Sequence, residues 1–248
     1  MRKILAIAFV LLSAGAGAKV SVVEYSTQLL GTPYMASPLG EGSPDAYDPD
    51  PLIRFDGFDC QTFVETVLAR GDEATLTEIR YAGGKPGFSR RHHFTDMWVR
   101  GNKSRLSDIT KSLSLMALGR PASMREGVID EAAWFKKIHG QEVSRPARHV
   151  VTHYIPREEI LEQRQKFSAA VAEPMVALLV FKDFSVIEKL GTDLHVAHMG
   201  LLLPTKGDGL TFRHASSAGG KVMDVDFFKY LDLLPPSYIG VQIFSIRE

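Results

Sequence analysis

The chain of 248 residues contains a single cysteine, Cys60. No disulfide can therefore form within the chain, and no metal site built from several cysteines is possible. Neither charge is in excess, because 29 basic residues balance 29 acidic residues, so the basic surface of a nucleic-acid-binding protein is not expected. The composition, with 45% hydrophobic and 23% charged residues, is that of a globular protein and excludes disordered, coiled-coil and collagen-like chains.

Long hydrophobic segments are also lacking, since no apolar run approaches the roughly 18–20 residues of a membrane-spanning helix. The apolar run at 4–12 follows two basic residues and precedes small residues at Ala16 and Ala18, the pattern of a secretory signal peptide. We therefore expect residues 1–18 to be removed on export. The mature chain would begin near Lys19 and be periplasmic or secreted, with no stable membrane span.

Breaker residues and apolar spacing predict helices in the first part of the mature chain. Helices are expected at 20–31 and 59–70, separated by an irregular loop rich in proline and glycine at 36–57. The long segment at 72–170 is predicted to be mostly helical, including a charged helix near 157–172.

The character of the chain changes after Pro174, where β-type runs separated by turn residues begin. The four predicted strands lie at 175–181, 196–203, 210–216 and 238–246. We therefore predict an α+β fold in one domain spanning 19–248, with N-terminal helices packed on a C-terminal antiparallel sheet. The segment at about 72–170 would be a helical insertion.

The single cysteine lies at the start of the second predicted helix, where Asp59 can act as the N-cap. The free N–H groups and the positive dipole end of a helix start stabilise a thiolate. The backbone N–H of Cys60 could also donate to a developing oxyanion. These features favour a reactive nucleophile, while a buried inert cysteine and a cysteine that pairs between molecules remain the alternatives.

A cysteine nucleophile needs a base and usually a third group that orients the base. His198 and His214 lie in successive apolar strands, which a hairpin would place side by side. Two hydrogen-bonded core histidines are the alternative interpretation. His195 lies three residues before His198 and would face the opposite side of a continuous strand, so it is not expected at the same site.

A cluster of charged residues and histidines lies at 89–98. Its candidate substrate-binding residues are Arg90, Arg91, His92, His93 and Asp96. Such a cluster could anchor a carboxylate or a sugar, or it could be a solvated charged turn. The two interpretations are equally compatible with the sequence.

Two further histidines, His149 and His153, are four residues apart on a possible helix, a spacing that can bind zinc. The glutamate of an HExxH motif and a third ligand are missing. We therefore expect no metal.

Several segments resemble, in order and type, the motifs of the NlpC-type superfamily of papain-like cysteine peptidases and amidases, which act on bacterial peptidoglycan. The matching segments are Gly31-Thr32-Pro33-Tyr34, Phe58-Asp59-Cys60, His198-Met199-Gly200 and His214-Ala215-Ser216. The resemblance implies that Cys60 is the nucleophile, His198 the general base and His214 the orienting third group. It also implies that Tyr34 lies beside the thiol and shapes the oxyanion site.

Within this superfamily the chain looks most like the N-acetylmuramoyl-L-alanine amidase-like branch. The segment GFDCQTFVETVLA at 57–69, the R-x-H-F cluster at 91–94 and the long spacer before His198 fit that branch. The resemblance implies a papain-like NlpC-type fold, peptidoglycan fragments as substrate and an acyl-enzyme mechanism without cofactor. Asp59 is a further candidate substrate-binding residue. We expect the protein to be a monomer.

Three alternatives remain. A γ-D-glutamyl-diaminopimelate endopeptidase of the same superfamily would cut another bond of the same polymer. A non-catalytic cell-wall binding module would keep the fold without the chemistry. A toxin delivered from the cytosol is disfavoured by the predicted signal peptide.

Overall fold

The structure is a computed structural model that describes residues 20–247, and the predicted signal peptide lies outside the described residues. Short helices alternate with strands along the chain. The helices are α1 (Val22–Gln28), α2 (Cys60–Ala69), α3 (Glu73–Arg80), α4 (Thr95–Gly101), α5 (Thr110–Leu118), α6 (Glu131–His139), α7 (Arg157–Glu162), α8 (Arg164–Ala170), α9 (Ser185–Leu190) and α10 (Phe227–Leu233). The strands are β1 (Leu106–Asp108), β2 (Ser123–Ile129), β3 (Arg148–Pro156), β4 (Met175–Phe181), β5 (Val196–Pro204), β6 (Leu210–Ser216), β7 (Lys221–Asp226) and β8 (Tyr238–Ile246).

The strands form one sheet in the order β2-β3-β8-β4-β5-β6-β7, and β1 pairs with the end of β8. Every pairing in this sheet is antiparallel. The predicted α+β class, with N-terminal helices and an antiparallel sheet, is therefore confirmed. The four predicted strands correspond to β4, β5, β6 and β8.

The two sheet faces carry separate hydrophobic cores, because side chains alternate along each strand. Phe63, Val67 and Leu68 of α2 pack on one face, which includes Met199 and Leu201 of β5. The opposite face is covered by α5, α7, α8 and α10. No helix within residues 20–247 is both long enough and apolar enough to cross a membrane.

The prediction of a helical insertion at 72–170 is wrong in one respect, because this segment contributes β1, β2 and β3 to the sheet. The inward-facing position of β2 at Arg125 is polar, so the alternation of apolar residues that marks a strand is weak. Arg125 is buried because it pairs with Asp193 at 2.6 Å, far away in the sequence. The charged helix near 157–172 is divided into α7 and α8 at Gln163.

The β2–β3 hairpin is paired with the rest of the sheet at one end only, and its remaining part extends to the segment before β5. β3 pairs with β8 only at Ile155 and Pro156. Farther along β3, the Thr152 hydroxyl lies 2.8 Å from Nδ1 of His195. A Cβ atom at Gly127 of β2 would lie 2.5 Å from Nε2 of the same ring, so this close approach requires glycine.

The possible helix that carried His149 and His153 is not formed, because both residues lie on β3. Four residues along a strand span about 13 Å, which is too far for two side chains to share a zinc ion in the way that a helix turn allows. Among residues 20–247 there is no group of three or more His, Cys, Asp or Glu side chains placed to hold a metal ion.

Candidate active site

Cys60 is the first residue of α2, and the cap predicted from the sequence is present. The Asp59 carboxylate accepts a hydrogen bond from the Thr62 backbone N–H at 2.8 Å. In return, the Thr62 hydroxyl accepts one from the Asp59 backbone N–H at 3.0 Å. This reciprocal capping box fixes the point at which the helix starts and so fixes the position of the thiol.

The Cys60 sulfur lies against β5. It interacts with the backbone N–H of Met199 and with the N–H groups of Gln61 and Cys60 itself, all of which favour the thiolate. Burial has the larger effect and raises the pKa of the Cys60 thiol to about 12, with a further increase from the Asp59 carboxylate. The predicted stabilisation by the helix start is therefore present, but burial outweighs it and the resting thiol is protonated.

The two predicted histidines are brought together by the β5–β6 hairpin. The ladder between these strands ends at the pair Leu201 and Arg213, and both histidines lie just beyond it. Nε2 of His198 is 2.7 Å from Nδ1 of His214, which is a hydrogen bond between the rings. Since His198 directly precedes Met199, the linked rings lie next to the residue whose N–H meets the sulfur.

Aromatic side chains enclose the two rings. Phe212 stacks on His214 with ring centroids 4.8 Å apart, and Tyr230 lies 5.0 Å from His214 and 6.3 Å from His198. Burial lowers the pKa of His198 to about 3 and that of His214 to about 4. Both imidazoles are therefore neutral at neutral pH and able to accept a proton.

Tyr230 was not anticipated from the sequence. It lies on α10, and its place beside the histidines depends on the packing of this short helix against β6. The only available sequence signal was the apolar spacing of the FFKYLDL segment, which predicts a helix but not its neighbours.

Tyr34 is held beside the start of α2 by the backbone. The chain at Tyr34 forms a parallel bridge with Phe58, two residues before the cysteine. Its own N–H donates to the carbonyl oxygen of Gly220 at 2.9 Å. Burial, followed by the nearby Cys60 and Asp59 side chains, raises the pKa of the Tyr34 hydroxyl, which therefore stays protonated.

The candidate substrate-binding residues do not lie together in one patch. Arg91, His92 and His93 line a small cavity together with Asp59 and Gln61 at the first turn of α2. In contrast, the Arg90 side chain is exposed and donates to the carbonyl oxygen of Ala82.

Asp96 lies in a different place from the rest of the cluster. It pairs with Arg148 at 3.2 Å and with Arg100 at 2.7 Å. Its side chain lines a cavity of about 280 Å³ under the β2–β3 hairpin, which also contains His195. His195 is thus separate from the His198–His214 pair, in agreement with the sequence prediction.

Most of the cluster is engaged in structural contacts. Arg91 forms ion pairs with Glu41 and Asp48 of the 36–57 loop. The ring nitrogens of His92 and His93 lie 3.0 and 2.7 Å from the carbonyl oxygens of Ile79 and Phe88, respectively. These side chains hold the loops around the start of α2 and are not free to bind a ligand without losing those contacts.

The buried histidines predict that the protein loses stability in mild acid. Burial lowers the pKa of His93, His195, His198 and His214 to between about 3 and about 4, whereas an unfolded histidine titrates near 6.5. The unfolded chain therefore binds more protons than the folded chain below pH of about 6.5, and stability falls as the pH falls through this range. Each ring adds a slope of up to about 1.4 kcal/mol per pH unit.

Melting temperatures measured by circular dichroism from pH 8 to pH 4 check this prediction. The melting temperature should decline below pH of about 6.5, and replacing His93 with glutamine should flatten the decline. His149→Gln is the control because that side chain is 61% exposed. A melting temperature that stays constant down to pH 4 would contradict the prediction.

The chain is a member of an amidase-like, cell-wall-related protein class, as the comparison with known families shows. Residues 24–237 match the family model AmiA-like, described as N-acetylmuramoyl-L-alanine amidase-like. The match covers most of the sequence, and the chain belongs to this AmiA-like family. None of the curated proteins matches the chain.

Solved structures share the fold. A Legionella pneumophila protein of family model DUF1460 superposes with a TM-score of 0.82 at 26% identity, covering 92% of this chain and 88% of that chain. Two structures of an N-acetylmuramoyl-L-alanine amidase from Bacteroides uniformis give TM-scores of 0.67 and 0.69 at 21% and 20% identity. They cover 92% of this chain and 98% and 99% of theirs.

Proposed function

We propose that the protein is an exported cysteine amidase that hydrolyses the amide bond between N-acetylmuramic acid and L-alanine in peptidoglycan fragments. The observation that carries this proposal is the position of Cys60, at a helix start and against the strand that bears the hydrogen-bonded His198–His214 pair. The membership of an amidase-like family supports the substrate class. The predicted signal peptide supports action in the periplasm or outside the cell.

The arrangement also supports a papain-like NlpC-type fold. In such a fold a helix that begins with the nucleophile packs on an antiparallel sheet that carries the base. Here α2 packs on β5, and both contribute to one hydrophobic core that includes Phe63 and Met199. The thiol comes from α2 and the imidazoles from the neighbouring strands β5 and β6.

The hydrogen bond between the histidines sets their tautomers. His198 can take the thiol proton only at Nδ1, because its Nε2 is bonded to His214. In that state Nε2 of His198 carries a hydrogen and donates it to Nδ1 of His214. The remaining hydrogen of His214 is then on Nε2, and this tautomer lets His214 hold the base in one orientation.

Because the resting thiol and the resting imidazole are both neutral, proton transfer accompanies nucleophilic attack. The sulfur of Cys60 forms a bond to the lactyl carbonyl carbon while its proton moves to His198. The imidazolium then protonates the amine of L-alanine, the C–N bond breaks and a thioester remains. His198 next removes a proton from a water molecule, and the water oxygen attacks the thioester carbonyl carbon. The C–S bond then breaks, the lactyl carboxylate of N-acetylmuramic acid is released, and His198 returns the proton to the Cys60 sulfur.

Two groups are placed to stabilise the oxyanion. The backbone N–H of Cys60 lies at the positive end of α2. Tyr34 lies beside it, and the raised pKa of its hydroxyl keeps the hydrogen available for donation. Donors of this kind typically contribute about 10²–10³-fold each to the rate.

Digestion of defined muropeptides, followed by mass spectrometry, tests the proposed function. We expect release of an intact stem peptide with a free L-alanine amino group. An endopeptidase of the same superfamily would instead leave L-alanyl-D-glutamate on the sugar, and that product would refute the amidase. A non-catalytic module would bind muropeptides and release nothing.

A further inference from the structure

A polar cavity of about 140 Å³ adjoins the first turn of α2. Asp59 and Gln61, the sequence neighbours of Cys60, line it from the start of α2, and Arg80 and Arg91 line it from other segments of the chain. A substrate bound at the start of α2 could extend one end into it. The charged side chains around it therefore bear on which substrates are accepted.

The arginine predicted from the sequence as an anchor is already occupied. Arg91 binds Glu41 and Asp48, and both carboxylates belong to the loop that closes over the cavity. A ligand carboxylate would have to displace at least one of these ion pairs. Arg91 is therefore a poor candidate for recognising an anion.

Arg80, at the end of α3, differs in this respect. Its Nη2 donates to the Leu39 carbonyl oxygen at 3.2 Å, and its Nε lies 3.6 Å from Oε2 of Glu65. Its Nη1 is buried and has no hydrogen-bond partner among residues 20–247. The side chain is only 5% exposed. A buried guanidinium nitrogen without a hydrogen-bond partner destabilises the folded protein. An anion that accepts a hydrogen bond from it would remove this free-energy cost.

Glu65 neutralises Arg80 only in part. Burial raises the pKa of Glu65 to about 7, although Arg80 and the Gln61 amide act in the opposite direction. A substantial fraction of Glu65 is therefore uncharged near neutral pH, and Arg80 then carries an uncompensated positive charge. Asp59, the other carboxylate at the cavity, is committed to the helix cap.

We propose that Arg80 binds a carboxylate of the leaving peptide through Nη1 and thereby determines substrate specificity. The inference rests on the proposed amidase function. In a peptidoglycan stem peptide the second residue is D-glutamate, which is linked onward through its γ-carboxyl group and keeps a free α-carboxylate.

A pair of substrates that differ in one group tests the proposal. N-acetylmuramoyl-L-alanyl-D-glutamate is compared with the same compound bearing an α-carboxamide. We expect wild-type kcat/KM to be about 10- to 100-fold higher for the carboxylate, the usual effect of a charged hydrogen bond in a buried site. In the double variant Arg80→Met with Glu65→Gln, which leaves no unpaired buried charge, this ratio should fall to near 1.

Two further variants keep the test decisive. Arg80→Lys retains the buried charge beside Glu65 but shortens the donor, so it should fold and reduce the ratio. Arg105→Met removes a different arginine that pairs with Glu78 of α3, and the ratio should stay at the wild-type value. A wild-type ratio near 1, or a high ratio that survives both Arg80 replacements, would overturn the proposal.

The failure of the proposed function would be recognised separately. If the wild type cleaves neither substrate, the amidase is refuted, and calorimetric binding of L-alanyl-D-glutamate and its α-amide then decides the role of Arg80. Tighter binding of the carboxylate in the wild type, lost in Arg80→Lys, would support the carboxylate site. Equal binding of the two peptides would refute it.

Discussion

Replacing Cys60 with alanine is expected to reduce hydrolysis of the muramoyl–alanine bond by at least about 10⁴-fold, to the background rate. The whole reaction depends on the covalent bond between the sulfur and the lactyl carbonyl carbon, and no other thiol exists in the chain. Serine at the same position should fail as well. Its hydroxyl is a much weaker nucleophile in a site that offers no stronger base than a buried imidazole.

The measurement compares initial rates on one defined muropeptide, with mass spectrometry of the intact protein to detect the acyl-enzyme. Wild type should show a mass increase equal to the muramoyl group, and Cys60→Ala should not. The melting temperature controls for folding, and only a variant that melts near the wild type is informative. Retention of more than about a tenth of the activity in folded Cys60→Ala would refute cysteine catalysis.

His198→Ala is expected to give the second largest loss, about 10²–10⁴-fold, the range for removal of a general base. The neutral thiol of Cys60 has a raised pKa and cannot supply a thiolate without a base. His214→Ala should cost less than His198→Ala. It removes the hydrogen bond that orients the base but leaves the base itself.

A double variant shows whether these residues act as a unit. Once Cys60 is alanine, adding His198→Ala should produce almost no further loss, because both replacements remove the same step. His153→Ala is a suitable control, since this histidine lies on β3, which pairs with neither β5 nor β6. If His198→Ala retains wild-type kcat while His214→Ala does not, the assignment of base and orienting residue is reversed.

The extent to which the sequence predicts the structure differs between local and long-range features. The Asp59 cap, the helix start at Cys60 and the hairpin that joins His198 to His214 are determined by neighbours in the chain, and all three are present. The strand around Arg125 was missed because its burial depends on Asp193, which lies in a distant segment.

The cluster at 89–98 illustrates the same limit. The sequence places several cations and histidines together, but it does not show which of them are already paired. The structure gives Arg91 two carboxylate partners from the 36–57 loop, whereas Nη1 of Arg80 has no hydrogen-bond partner in the part of the chain that the structure describes. Nothing near Arg80 in the sequence indicates this, because its surroundings come from α2 and from the loop at Leu39.

The sequence by itself determined that there is one thiol, that a helix starts at it and that two strand histidines are spaced to meet. These properties depend on composition, capping and alternation, which act over a few residues. Only the tertiary structure determined the pKa values of the site residues. Burial between α2 and the sheet raises the pKa of Cys60 and lowers those of His198 and His214. Desolvation depends on everything packed around a group, so the protonation states of the site follow from the fold and not from the motif.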